Sequence, residues 1–379
     1  MYFSTDRATK MSHKLLYNDF GCVIINAEDV CEVTKMPQGK KLLILNVLDV
    51  LKKHSDAEHR LSVTDIVSIL EKEYDMIVDR KSVKRNLEEL EDIGYQIDYT
   101  ESVRKKNDGT EEILKTDWYL SADFSEPELR LIIDSLMCSK HISKKQMKML
   151  VGKINGLGNK YFSSKMRHVT ALHQASPENT DLFLNVEMLD EAINDKKQVA
   201  FLYHDYGVDK KMHPRTDSEG KAKEYIVNPY QLVTANGRYY LIGNYDKYDN
   251  IAHYRIDRIK RVRILDTSAK TTDKVRGLEN GLDLPTHMAE HIYMFGGECG
   301  PVTFKAKKYI INDIIDWFGT DVSFFKESED EIRVATRVNY HAMKYWAMQY
   351  GYHVTVTSPP SLVEDMRKEL ATALEKYKT

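Results

Sequence analysis

The spacing of apolar positions changes several times along the chain, and each change marks an element. Leu42, Leu43, Leu45, Val47, Leu48 and Leu51 hold one apolar face across 40–53 at helical spacing. The spacing returns after Ser62, an N-cap type with Asp65 three residues on, where Val63, Ile66, Val67, Ile69 and Leu70 form the face. A third helix is expected from Asp79, with Val83, Leu87, Leu90 and Ile93 on its apolar side and Gly94 as its stop. Alternation follows: Tyr95, Ile97 and Tyr99, then a polar tip over 105–109, then 113–120. Asp108-Gly109 between alternating stretches signals a hairpin. Three helices and a hairpin describe a winged helix-turn-helix over 36–121. An extension, 1–35, precedes it, in which only 23–25 reads as a short strand.

The period is helical again from 125 to about 174, with Pro127 placed as an N1 proline, so 122–185 reads as a helical linker. A helix over 186–195 leads into strands at 199–203, 225–232, 239–245, 251–256 and 259–265, with Asn236-Gly237 as a tight turn. This is a small, mostly antiparallel β domain, 186–266, followed by a connector, 267–298. The last segment, 299–379, reads strand, helix, strand, strand, helix, strand, then a final helix opened by Pro359 and Pro360. The order βαββαβ is the ferredoxin-like pattern. The fold class is therefore α+β and multidomain.

Composition narrows the function. At 379 residues, 42% hydrophobic and 30% charged, the chain is neither disordered nor fibrous. No apolar run approaches the ~18–20 residues of a bilayer span. Cys22, Cys31, Cys138 and Cys299 are scattered without a CxxC pair, which points to no disulfide framework or zinc knuckle and fits a cytoplasmic protein. The net charge of −3 is unevenly spread. Residues 36–120 hold 14 Lys+Arg against 18 Asp+Glu, 196–263 hold 14 against 8, and 299–379 hold 11 against 11. The middle segment is basic, and a local field, rather than the net charge, steers a charged partner.

The third helix begins Asp79-Arg80-Lys81-Ser82-Val83-Lys84-Arg85-Asn86, cationic at the front, and turns acidic at Glu88, Glu89, Glu91 and Asp92. In a helix-turn-helix the amino end of the second helix enters the major groove. There the positive helix end and cationic side chains meet phosphate. Arg80, Lys81, Ser82, Lys84, Arg85 and Asn86 are types that read base edges or hold phosphates. Arg104, Lys105 and Lys106 beside the hairpin tip place a second cluster on the wing, where contacts strengthen binding without specifying sequence.

The basic β segment contains Gly237-Arg238-Tyr239-Tyr240-Leu241 and His253-Tyr254-Arg255-Ile256-Asp257-Arg258-Ile259. With Tyr203 and Asn228-Pro229-Tyr230, these stretches resemble the WYL domain, a tyrosine standing at 239 where the family usually has tryptophan. The winged helix before it and the βαββαβ tail after it, of the WCX type, match the layout of WYL-domain transcriptional regulators from about 38 to 378. The stretch 284–297 looks like the linker helix that the family places before its carboxyl-terminal extension. The resemblance implies a Sm-like β domain that senses a nucleic-acid or nucleotide-type effector. Tyr203, His213, Arg215, Tyr239, Tyr240, Arg255 and Arg258 are then its candidate contacts. Period two alone puts Arg255 and Arg258 on opposite faces.

These patterns lead to a ligand-responsive transcriptional regulator without catalytic activity or cofactor, binding double-stranded DNA as a homodimer. Two alternatives stay open. One is an accessory protein for single-stranded nucleic acid or RNA. The other is a zinc peptidase, through the H-x-x-E-H pattern of His287, Glu290 and His291 with Glu364 or Glu369 as third ligand. Gly156-Leu157-Gly158 lacks the context of a nucleotide fingerprint. His168 and His173 lie in a helical stretch without triad partners.

Overall fold

The structure, a computed structural model, describes residues 42–105, 111–165 and 181–378, with the backbone of two short strands, β1 (Tyr17–Asn18) and β2 (Gly21–Cys22). The strand expected at 23–25, the hairpin tip with Lys106, and His168 and His173 lie outside the described residues. The chain forms two compact units: Met1–Ile132 with Gly152–Val169, and Ile133–Val151 with Thr170–Thr379.

The first unit is built on α1 (Leu43–His54), α2 (Val63–Tyr74) and α3 (Arg80–Asp92), followed by the hairpin β3 (Ile97–Lys105) and β4 (Glu111–Leu120). Ser62 and Asp65 form the expected capping box of α2, each bonding the other's backbone N–H. Asp79 caps α3 through Ser82. Leu51, Ile66, Leu70, Val83, Leu87 and Trp118 fill the core. Leu42 and Leu45, expected on the apolar face of α1, are instead exposed. Leu42 is the N-cap residue, before the helix begins, and Leu45 is two positions from both Leu43 and Val47, on the side away from the line that faces inward. Two helices, α4 (Glu126–Met137) and α5 (Lys144–Asn155), lead to α6 (Lys160–Lys165). Just before α6, Asn159 ties to the end of α1 by donating to the Ser55 carbonyl (3.2 Å) and to Asp56 (2.7 Å).

In the second unit α7 (Leu182–Asn194) packs on a sheet, and Asn185 donates to the Ile259 carbonyl at 2.9 Å. The strands are β5 (Lys197–Tyr206), β6 (Met212–Pro214), β7 (Glu224–Ala235), β8 (Arg238–Tyr245), β9 (Ile251–Arg255) and β10 (Ile259–Ser268). They run antiparallel in the order β10-β5-β7-β8-β9, with β6 pairing β5 outside that path. The turn at Asn236-Gly237 has positive φ at both residues, as a type I′ hairpin requires.

A short helix, α8 (Leu284–Glu290), follows, and the chain leaves helical geometry at His291. The helix expected across 284–297 is therefore only its first half. Met294 and Gly297 both take positive φ, which a continuing helix excludes. Then come β11 (Cys299–Lys307), α9 (Ile311–Phe318), β12 (Ser323–Lys326), β13 (Glu331–Asn339), α10 (Tyr340–Gln349), β14 (Val354–Ser358) and α11 (Pro360–Glu375). The antiparallel order β12-β13-β11-β14 is the ferredoxin-like one. Its core is Phe304, Phe318 and fully buried Trp346.

Candidate nucleic-acid and effector interfaces

Helix α3 divides by face as well as by charge. Val83, Leu87 and Leu90 are buried at intervals of four and three, which fixes the roll of the helix. Arg80, Lys81 and Arg85 are consequently exposed. The side chains of Arg80 and Lys81 have no hydrogen bond or ion pair among the described residues. Lys84 and Arg85 reach back to Glu88 (3.8 Å) and Glu89 (3.5 Å), one turn on. Such exposed pairs contribute only ~0.3–0.5 kcal/mol and are readily exchanged for a phosphate.

Two expectations for this helix are corrected. Asn86 is 6% exposed and donates to the Ser82 carbonyl at 2.7 Å, because its position falls beside Val83 and Leu87 on the buried side. The Ser82 hydroxyl donates to Asp79 at 2.7 Å as part of the cap, so it is already committed.

The wing is fastened to this helix. Lys115 on β4 donates to Glu91 of α3 at 2.9 Å, and its ammonium lies 4.0 Å from the centre of the Tyr99 ring. Arg104 and Lys105 are exposed on β3.

The second group forms around Asp205 at the end of β5. Its carboxylate accepts from Arg215 Nε (2.6 Å) and from Arg258 (2.8 Å). Burial pushes its pKa up, but Arg215, Arg258 and Arg255 outweigh that and hold it below the usual carboxylate range. Arg215 also lies over the Tyr203 ring, 4.9 Å from its centre. Arg255 makes a bidentate pair with Asp257 (3.0 and 2.6 Å), itself 1% exposed. The backbone N–H of Arg255 donates to the Tyr203 hydroxyl at 3.1 Å.

Arg238 opens β8, two residues before Tyr240, whose cross-strand partner is Arg255. Its side chain has no hydrogen bond or ion pair among the described residues. Burial and the neighbouring Arg255 lower its pKa. The Arg258 Nε is also buried without a partner among the described residues. Four guanidiniums (Arg215, Arg238, Arg255, Arg258) against two carboxylates (Asp205, Asp257) leave two positive charges uncompensated. That arrangement favours an anionic group with several acceptor oxygens.

Residues 185–264 match the WYL domain family and residues 302–374 the WCX domain family. The chain carries a WYL domain and a WCX domain. All four arginines fall within the matched WYL segment. No curated protein matches the sequence. Among solved structures, the chain is similar to proteasome accessory factor B/C (PafBC) of Arthrobacter aurescens. That match has 13% identity and a TM-score of 0.28, and covers 92% of this chain and 51% of that one, so the chain spans about half of its length. It is also similar to a CRISPR Cas-related protein at 13% identity and a TM-score of 0.34, covering 89% of this chain and 85% of that one. Likenesses this slight carry no functional argument.

In the WYL domain the expected contacts separate. Arg215, Arg255 and Arg258 come together. Period two put the last two on opposite faces, but a single 3-10 turn, Ile256–Arg258, interrupts the alternation after β9. It brings both guanidiniums within electrostatic reach of Asp205. Tyr203 and Tyr240 are buried, so neither offers an open stacking face. Tyr239 points to the other side of the sheet, toward His141 (5.6 Å between rings). His213 on β6 turns to Asp209 at 2.8 Å. Sequence reasoning missed Arg238 and the organising role of Asp205. For Arg238 the signal was present, a cation directly after an Asn-Gly turn in a basic sheet.

Proposed function

We propose that this WYL-domain protein is a ligand-responsive, DNA-binding transcriptional regulator. The observation that carries the reading is the front of α3: three exposed cations, two of them unpaired among the described residues, on a helix whose other face is locked into a helix-turn-helix core. Two copies would present two such helices to half-sites one helical turn apart. The WCX domain would serve the pairing and pass on the effector state. Among the described residues no helix is long and apolar enough to cross a membrane.

The decisive experiment is competition between duplex and single-stranded probes at matched salt, after selection of a preferred duplex. The expected result is a preference for one duplex of ~10³ or more over bulk DNA. A single-stranded probe that displaces that duplex at equal concentration would replace the regulator with an accessory protein for single strands.

For the effector, the arginine group supports a nucleotide or oligonucleotide with a phosphate at the cluster. Arg238→Ala removes an unpaired cation. It is therefore expected to weaken oligonucleotide binding to the second unit by ~10-fold or more while leaving thermal stability unchanged. Fluorescence anisotropy with a short labelled oligonucleotide, beside a melting curve, reads both. Unchanged affinity would take Arg238 out of the site.

A further inference from the structure

The H-x-x-E-H pattern has an unexpected completion. His287 lies in the last turn of α8 and His291 directly after it, so the two imidazoles stack, 4.0 Å between ring centres. The third group is not Glu364 or Glu369, which pair with Arg367 (3.4 Å) and Lys344 (2.6 Å) on the ferredoxin-like domain. It is His253 on β9. Its Nε2 lies 2.8 Å from the Nε2 of His287, and one nitrogen from each of the three rings falls within 4.8 Å of the others. The sulfur of Cys299, the first residue of β11, is 3.4 Å from His291 Nε2.

We propose that His253, His287, His291 and Cys299 form a binding site for one divalent transition-metal ion of the zinc class. The spacing of the three imidazoles fits tetrahedral coordination, and Cys299, which touches His291 but lies outside their mutual 4.8 Å group, has to close in as the fourth ligand. Metal–nitrogen bonds of ~2.0–2.1 Å place neighbouring ligand nitrogens about 3.3 Å apart, and nitrogen and sulfur slightly further. The His291–Cys299 separation is already near that value. The facing nitrogens of His253 and His287 need to part by about 0.5 Å to reach it. The tautomer of His291 is also prepared. Its Nδ1 donates to the His287 carbonyl at 2.8 Å, which leaves Nε2 with its lone pair toward the cluster. Burial favours the neutral, ligand-competent form of all three rings; it also pushes the Cys299 thiol up, so that group gives up its proton only as the ion binds.

The donor set separates this site from a peptidase centre. Three imidazoles and a thiolate close the coordination shell, whereas catalytic zinc keeps a position open. Glu290, which a hydrolytic mechanism needs as base, accepts from Arg337 Nε at 2.6 Å instead. A cleft of about 680 Å³, lined by His287, His291, Cys299 and Glu290, borders the cluster and gives an ion its route in. The bound ion would join three segments at one point: the WYL sheet through β9, the connector through α8, and the WCX-bearing domain through β11. It is a site independent of DNA and effector reading.

The test uses the full chain, stripped with a chelator and titrated with Zn²⁺ against a chromophoric competitor. One ion per chain is expected. The variant His253→Gln/His287→Gln is expected to bind it more weakly by over ~100-fold, beyond the loss that an outer-shell partner alone would cause. Co²⁺ on the unaltered chain gives a readout that no folding defect can mimic. Strong tetrahedral d–d bands are expected, with a thiolate charge-transfer band that Cys299→Ser removes. No stoichiometric Zn²⁺, an octahedral Co²⁺ spectrum, or equal binding by the double variant would each overturn the site.

Discussion

Replacing Arg80, Lys81 and Arg85 together with alanine is expected to remove most of the duplex affinity while leaving the first unit folded. Each contact at a base edge is worth ~1–3 kcal/mol, and removing one phosphate-binding cation lowers the salt slope by about 0.9. The triple variant should therefore lose ~10³-fold or more in affinity at low salt, and its remaining binding should depend less on salt. The fold is spared because the three side chains stand on the exposed face, and the buried line through Val83, Leu87 and Leu90 is untouched. Electrophoretic mobility shifts over a salt series, with a melting curve as control, read both halves of the expectation. An unchanged affinity at low salt would falsify the groove assignment. Asn86→Ala is the internal comparison: it breaks a buried bond to Ser82, so its cost falls on stability instead of recognition.

Asp257→Ala is expected to be among the most damaging single changes in the second unit. The carboxylate is almost fully enclosed, and it neutralises an Arg255 guanidinium whose side chain is only 16% exposed. Removing one member of such a pair strands the other charge in a poorly solvated place, at a cost of ~3–5 kcal/mol. Urea denaturation followed by tyrosine fluorescence should show an earlier transition. Asp257→Asn, which keeps an acceptor, should fall between the two. A midpoint that does not move would mean that solvent reaches Arg255 freely.

The elements that sequence foretold are those decided by neighbours in the chain. Ser62 with Asp65, Asp79 with Ser82, and Asn236-Gly237 are local devices, so their geometry is legible from residue type alone. Alternation revealed the strands, and the order βαββαβ revealed the last domain. The site was legible only in composition. Arg255 and Arg258 were recognisable as cations of interest, but the 3-10 turn that redirects them has no periodic signature. Asp205 acquires its role from Arg258, 53 residues away, and from Arg215 across a separate strand. His253 meets His287 across 34 residues. Contacts at such separations come from packing, which a single sequence does not spell out. Asn86 was misplaced for a related reason: its type suits adenine recognition, but helical roll decides whether it faces the groove.

Asp205 grips two guanidiniums that the chain reaches by different routes, one leaving β6 and one entering β10. An anion that draws Arg215 away leaves the carboxylate wholly to Arg258, which bonds its other oxygen. One strand end would thus be freed by the arrival while the other is gripped more firmly, and occupancy would register as a shift in the sheet's rim.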